Sequence, residues 1–128
     1  MAEGAIDRAR IGRLGEEATV AYLRRNGYEI CARNWREGHY ELDIVARKRG
    51  VLHLVEVKTR KAEGLTTPLD AMHPDKIRAL HRAAARYMAT AGRRYDGYEV
   101  QFDLAAVEID TEERLQIDFI EQVAQYDW

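Results

Sequence analysis

The segment that decides the fold runs from Glu41-Leu42-Asp43-Ile44, through a basic turn, to Val55-Glu56-Val57-Lys58. Apolar and charged residues alternate at both of its ends, which is the period of a β-strand. Side chains of a strand point to alternate faces, so Asp43 shares a face with Glu41, and Glu56 shares one with Lys58. The opposite face is predicted to carry the aliphatic residues Leu42, Ile44, Val55 and Val57.

The turn between the two strands indicates a hairpin. Arg47-Lys48-Arg49-Gly50 is polar and ends in glycine, as hairpin turns commonly do. A two-residue loop at 49–50 places Asp43 opposite Glu56. A four-residue loop shifts the pairing by two and leaves every side chain on the same face, so the acids share a face in either register.

Carboxylates on one face of an interior hairpin need a partner, because a desolvated charge must be paired or bound to a metal ion. Asp43 and Glu56 offer the oxygen ligands that Mg²⁺ prefers. Lys58 is near enough to contact an attacking water or a developing phosphate charge. A surface hairpin with ordinary ion pairs is the alternative, and spacing alone does not decide between the two.

Asp43, followed on the next strand by Glu56-Val57-Lys58, resembles the signature of the PD-(D/E)xK nucleases, the restriction-endonuclease-like superfamily. More closely, the whole chain resembles the YraN family, bacterial proteins of uncharacterised function related to archaeal Holliday-junction resolvases. The matching residues include Gly12-Arg13-Leu14-Gly15-Glu16, Ala21-Tyr22-Leu23, Gly27-Tyr28, Arg33-Asn34, Glu41-Leu42-Asp43, Glu56-Val57-Lys58-Thr59-Arg60, Pro68, Ala71, Lys76 and Phe102-Asp103. Two positions depart from the family pattern, where Tyr40 replaces a usual glycine and Gln101 replaces a usual arginine.

The resemblance implies a restriction-endonuclease-like α/β fold, a mixed sheet flanked by helices, and a metal-dependent endonuclease acting on structured or branched DNA. The catalytic set that it implies is Asp43, Glu56, Lys58 and Glu16. The three acids and the Val57 carbonyl would hold Mg²⁺ or Mn²⁺. Since the related resolvases work as dimers, a homodimer is implied too, and the candidate residues for its interface are Trp35, Tyr126 and Trp128. The alternative, favoured by the two departures, is a non-catalytic module on the same fold that binds nucleic acid or docks a protein.

Two of the acids also have structural interpretations. Glu41 could be a further ligand, an acid that orients a ligand, or a strand-edge charge paired with Arg60 or Arg33. Glu16 could instead be a surface residue paired with Arg13 or Arg24.

Three basic residues are the expected nucleic-acid contacts. Arg60 returns to the face of the acids, Lys76 lies in the first turn of a helix, where phosphate binds favourably, and Arg13 lies near Glu16. The four histidines lack metal-ligand spacing, and His53 is predicted to face away from the acids.

Length and composition predict a single cytoplasmic domain of 128 residues with no membrane partner. No apolar run has membrane-spanning length, and a signal-peptide core is absent from the sequence. Cys31 is the only cysteine, which excludes an internal disulfide and a thiolate metal cluster. Residues 1–97 carry a net charge of +6 and residues 98–128 carry −8, compatible with a basic face for phosphates or with an ordinary solvated mixture.

The predicted order is helix, three strands, helix, two strands, which implies a mixed sheet with helices on its faces. Helices are predicted at 8–26 and 74–91, strands at 28–34, 40–47, 51–59, 98–107 and 114–119, and an irregular loop at 60–73. Residues 120–128 are predicted to form a short helix or a docking tail. In the first helix, helical spacing is shown by Ile11, Leu14, Ala18, Ala21 and Tyr22.

Overall fold

The computed structural model describes residues 2–62 and 72–124. Within these residues, two α-helices and five strands follow the predicted order. They are α1 (Ala2–Arg25), β1 (Glu29–Glu37), β2 (Tyr40–Lys48), β3 (Val51–Lys61), α2 (Pro74–Ala89), β4 (Glu99–Ile109) and β5 (Leu115–Ala124). Most of the loop predicted at 60–73, including Pro68 and Ala71, lies outside the described residues.

The strands form one mixed sheet in the order β1-β2-β3-β4-β5. Strands β3 and β4 are parallel, and the other neighbours are antiparallel. A parallel pair needs a crossover connection, and α2 lies within it. The two helices pack on opposite faces, because Ile44 belongs to the core beneath α1 and the adjacent Val45 to the core beneath α2. The predicted mixed sheet flanked by helices is therefore confirmed.

The β2–β3 turn has the shorter of the two predicted loops. Arg49 (φ 51°) and Gly50 (φ 78°) are both left-handed, as a two-residue turn of this kind requires. Ile44 consequently lies opposite Val55, which is the register that brings Asp43 towards Glu56.

Strands β2 and β3 separate just beyond this pair. Their pairing ends at Ile44 and Val55, although β2 extends back to Tyr40 and β3 onward to Lys61. At this fork the Val57 backbone N–H donates a 2.8 Å hydrogen bond to Asp43 Oδ2. The carboxylate thus replaces the main-chain acceptor that a paired strand would have offered.

The predicted alternation of side chains is wrong at the fork. Leu42 packs in the α2 core and Ile44 in the α1 core, so they do not share a face. The strand turns between them, and Asp43 and Ile44 both lie on the α1 side. Strand β1 turns at the matching place, where Asn34 has a φ of 50°.

Helix α1 packs on the sheet through Gly15, Thr19, Val20 and Leu23, which are buried. The residues at the predicted helical spacing are partly buried, except that Ala21 is exposed. At Gly15 the helix lies close to β3. A Cβ atom at Gly15 would lie 1.7 Å from Thr59 Oγ1.

Two further predictions concern residues 120–128 and the candidate interface residue Trp35. Residues 120–124 continue β5 and are not helical, while Tyr126 and Trp128 lie outside the described residues. Trp35, a candidate for a dimer interface, packs edge-on against Tyr87 of α2 with ring centroids 5.3 Å apart.

Neither described helix combines the length and the apolar character that crossing a membrane needs.

The contact between α1 and β3 predicts opposite effects for two glycines of one helix. Gly15→Ala should destabilise the fold by about 2 kcal/mol, because its methyl group must displace β3. Gly12→Ala should stabilise it by about 0.5–1 kcal/mol, because nothing lies within 4 Å and alanine favours the helix. Urea unfolding of both variants measures this, and equal effects would contradict the close approach.

Candidate functional site

A cavity of about 780 Å³ lies at the fork, between α1 and the end of β3. It is lined by three acids and five basic residues: Asp7, Glu16, Asp43, Arg8, Arg13, Lys58, Arg60 and Lys61. Five of these are predicted site residues, and Val57 lies with them. Acidic and basic groups around one cavity can hold a cation and a phosphate together.

Asp43 is fixed by the fork itself. Its Oδ2 accepts the hydrogen bond from the Val57 N–H, and the side chain is half-buried. Lys58 follows on β3, is exposed, and lines the same cavity as Asp43. The hairpin that was predicted to join these residues therefore does so.

Glu56 lies beside Asp43 but on the α2 side of β3. Its side chain is 13% exposed, and Lys76 Nζ lies 3.3 Å from its Oε1. Burial, and then the nearby Asp43 charge, raise the pKa of Glu56 to about 8, while Lys76 opposes the rise. Two carboxylates are thus held close together in a poorly solvated place, which disfavours their simultaneous ionisation.

The contact of Lys76 with Glu56 was not predicted. The sequence placed Lys76 at a helix start, as a contact for phosphate, and the structure places it against the acid. Nothing in the local sequence reports the contact, because it depends on how α2 crosses the sheet after residues 63–71. The only sequence signal for an acidic partner is that a lysine in the first turn of a helix is unfavourable for the helix dipole.

Glu16 reaches the cavity from α1, and its side chain is 15% exposed. Its Oε1 accepts hydrogen bonds from Asn34 Nδ2 at 2.7 Å and from Arg33 Nη2 at 3.2 Å. These partners differ from Arg13 and Arg24, the two predicted for a purely structural role. No site role was predicted for Arg33 or Asn34. The one signal available was that asparagine tolerates the left-handed backbone that Asn34 adopts here.

Glu41 is not brought to the cavity. Its carboxylate pairs with Arg36 at 3.4 Å, and its side chain is 51% exposed. Of the two partners predicted for it, Arg60 lines the cavity and Arg33 pairs with Glu16. The cavity is lined by Asp43 but not by Glu41.

A second polar group lies on the α1 side of the sheet around Asp103, which is 1% exposed. His53 Nδ1 lies 2.6 Å from Asp103 Oδ2, and their ligand atoms and that of Glu121 lie within 4.8 Å of one another. The amide nitrogen of Gln101 lies among them, 2.8 Å from Asp103 Oδ1 and 3.2 Å from Glu121 Oε1. These carboxylates already accept hydrogen bonds, so we interpret the group as a buried polar network. Gln101, expected only to remove a basic contact, supplies its central donor.

The chain is similar to known proteins over the residues of the candidate site. The model of "Uncharacterised protein family UPF0102" matches residues 15–107, which include Glu16, Asp43, Glu56 and Lys58. A UPF0102 protein of Oleidesulfovibrio alaskensis is 52% identical over 62% of this chain and 39% of its own length. One from Bacteroides fragilis is 53% identical over 61% and 64%, and one from Parabacteroides distasonis is 42% identical over 87% and 88%. The chain thus spans less than two thirds of the first two relatives.

The raised pKa of Glu56 predicts a pH-dependent effect of its removal. The unfolded chain releases this proton near pH 4.5, and the folded chain keeps it to about 8, so stability falls as the pH rises through this window. Glu56→Gln should therefore be more stable than the wild type above about pH 8, by on the order of 2 kcal/mol, with the difference vanishing below about pH 4.5. Urea unfolding in EDTA across this range measures it.

The exposed Glu41 supplies the control. Glu41→Gln should change stability little, because its pair with Arg36 is well solvated. A Glu56→Gln effect that is the same at both ends of the range would contradict the raised pKa.

Proposed function

This chain belongs to the UPF0102 (YraN) family, and we propose that it is a metal-dependent endonuclease that hydrolyses phosphodiester bonds in DNA. The observation that supports this most is the fork. There Asp43 and Glu56 lie side by side, and Glu16 and Lys58 line the cavity that contains Asp43. The proposal includes the restriction-endonuclease-like fold, with which the observed element order and mixed sheet are compatible.

The donor set fits a divalent cation such as Mg²⁺ or Mn²⁺. Carboxylate oxygens are the ligands that these ions prefer, and Asp43 and Glu56 are close enough to raise the pKa of Glu56. A cation relieves this repulsion, and the Lys76 ammonium already lies on the outer side of Glu56. Asp43, Glu56 and Glu16 would hold the ion, with the Val57 carbonyl as a further ligand.

The residues of the chain supply the rest of the chemistry. A bound metal ion would polarise the scissile phosphate and lower the pKa of a water molecule. Lys58 lines the cavity as a compact charge that can orient the attacking water or stabilise the developing negative charge. Arg13 and Arg60, in the wall of the same cavity, would hold neighbouring phosphates.

DNA that is structured or branched is the proposed substrate, on the strength of the resemblance to junction resolvases. The five basic residues of the cavity support a polyanionic substrate. Lys76 is a less direct contact than the sequence suggested, since it would have to leave Glu56 to reach phosphate. A homodimer remains part of the proposal, and light scattering over a range of concentrations tests it.

Cleavage assays test the activity with labelled duplex, forked and four-way DNA in Mg²⁺ or Mn²⁺. Asp43→Asn and Lys58→Ala should each reduce cleavage by about 10²–10³-fold, because one loses a metal ligand and the other a charge at the reacting phosphate. Asp118→Asn is the matched control: Asp118 is exposed on β5, outside the cavity, and its variant should cleave like the wild type.

Three outcomes would contradict the proposal. Undiminished cleavage by Asp43→Asn would reveal a contaminating nuclease. Salt-dependent DNA binding without cleavage of any substrate would favour the alternative, a non-catalytic nucleic-acid-binding module on the same fold. Absence of salt-sensitive DNA binding would point instead to a protein-docking module.

A further inference from the structure

Asn34 has a backbone conformation that its position in the chain does not explain. It lies within β1, yet its φ is 50°, in the left-handed region that residues other than glycine seldom adopt. Strand β1 continues on both sides, so no chain reversal requires this conformation. Such strained residues persist where the surroundings determine them, and they often mark functional sites.

The left-handed turn changes which side chains face α1. In a regular strand Arg33 and Asn34 would point to opposite faces. Here both reach the same acid of α1, while Trp35 packs on the α2 side. The conformation of Asn34 therefore brings two adjacent donors to Glu16.

These donors meet on one oxygen of the carboxylate. Asn34 Nδ2 lies 2.7 Å from Glu16 Oε1, and Arg33 lies 3.2 Å from the same atom. Among the described residues, the hydrogen bonds that Glu16 accepts all end on its Oε1 atom. Both Glu16 and Asn34 line the cavity that contains Asp43. With Oε1 held, Oε2 is the oxygen left to serve as a ligand.

From this geometry we infer that Asn34 is a positioning residue, whose amide orients Glu16 as the third carboxylate ligand of the metal ion. The inference rests on the proposed function, since it assigns a role within that site. Its energetic basis is pre-organisation: a carboxylate whose rotamer is already fixed loses less freedom when it binds the ion. Arg33 contributes charge, and it divides its contacts between Glu16 and Glu17.

Asn34→Gly is a suitable test, because glycine adopts the left-handed backbone without strain and removes only the side chain. We expect it to unfold at the wild-type temperature or above, yet to bind Mn²⁺ about tenfold more weakly in calorimetric titration of the metal-free chain. Glu17→Gln is the matched control, because Glu17 also binds Arg33 but is 66% exposed and does not line the cavity. Its affinity for Mn²⁺ should be that of the wild type.

A double-mutant cycle with Glu16→Gln separates positioning from a general structural effect. If Asn34 acts through Glu16, Asn34→Gly causes no further loss of Mn²⁺ affinity in the Glu16→Gln background. Wild-type affinity in Asn34→Gly, or an equal loss in both backgrounds, would overturn the inference. Asp43→Asn distinguishes the two hypotheses: if it abolishes Mn²⁺ binding while Asn34→Gly leaves the affinity at the wild-type value, the metal site stands and the positioning role fails. Mn²⁺ binding that is absent from the wild type, or unaffected by Asp43→Asn, would remove both.

Discussion

The hydrogen bond from the Val57 N–H to the Asp43 carboxylate is the contact on which the site depends. Strands β2 and β3 separate at the fork, and separation exposes main-chain donors that are costly to leave unpaired. The last paired residues are Ile44 and Val55, and Asp43, the next residue of β2, accepts the hydrogen bond from one such donor. The same bond fixes the carboxylate at the mouth of the cavity. One interaction thus ends the strand pairing and positions a candidate ligand.

The fork also allows charged groups from both faces of the sheet to meet. Glu16 arrives from α1 on one face, and Lys76 from α2 on the other, where it pairs with Glu56. A continuous sheet would keep these helices apart by the thickness of its backbone and side chains. The burial of Glu56 beside Asp43 is unfavourable in itself, as its raised pKa indicates. This local cost is consistent with a site shaped for a bound cation, and the two apolar cores on either side supply the stability that offsets it.

The sequence predicted most of what depends on local periodicity. The order of elements, the β2–β3 hairpin and the proximity of Asp43 to Glu56 all follow from strand alternation and turn chemistry. The prediction from the sequence failed where one residue interrupts the alternation of side chains along a strand. The turn of β2 at Asp43 places Leu42 and Ile44 on opposite faces of the sheet, and no pattern of apolar residues encodes it. The Lys76–Glu56 pair was out of reach for another reason, since it depends on the path of α2 across the sheet.

The two buried polar groups of this chain differ in how their charges are satisfied, and the difference separates structure from candidate chemistry. The Asp103 carboxylate contacts three groups: the His53 ring of β3, the Gln101 amide of its own strand β4, and the Gln122 N–H of β5 at 3.0 Å. Such a network holds strands in register and leaves little capacity for a ligand. At the fork, by contrast, Asp43 and Glu56 repel each other, and one lysine only partly compensates. Burial of polar residues alone would rank Asp103 first, whereas the unbalanced charge and the adjoining cavity direct attention to Asp43 and Glu56.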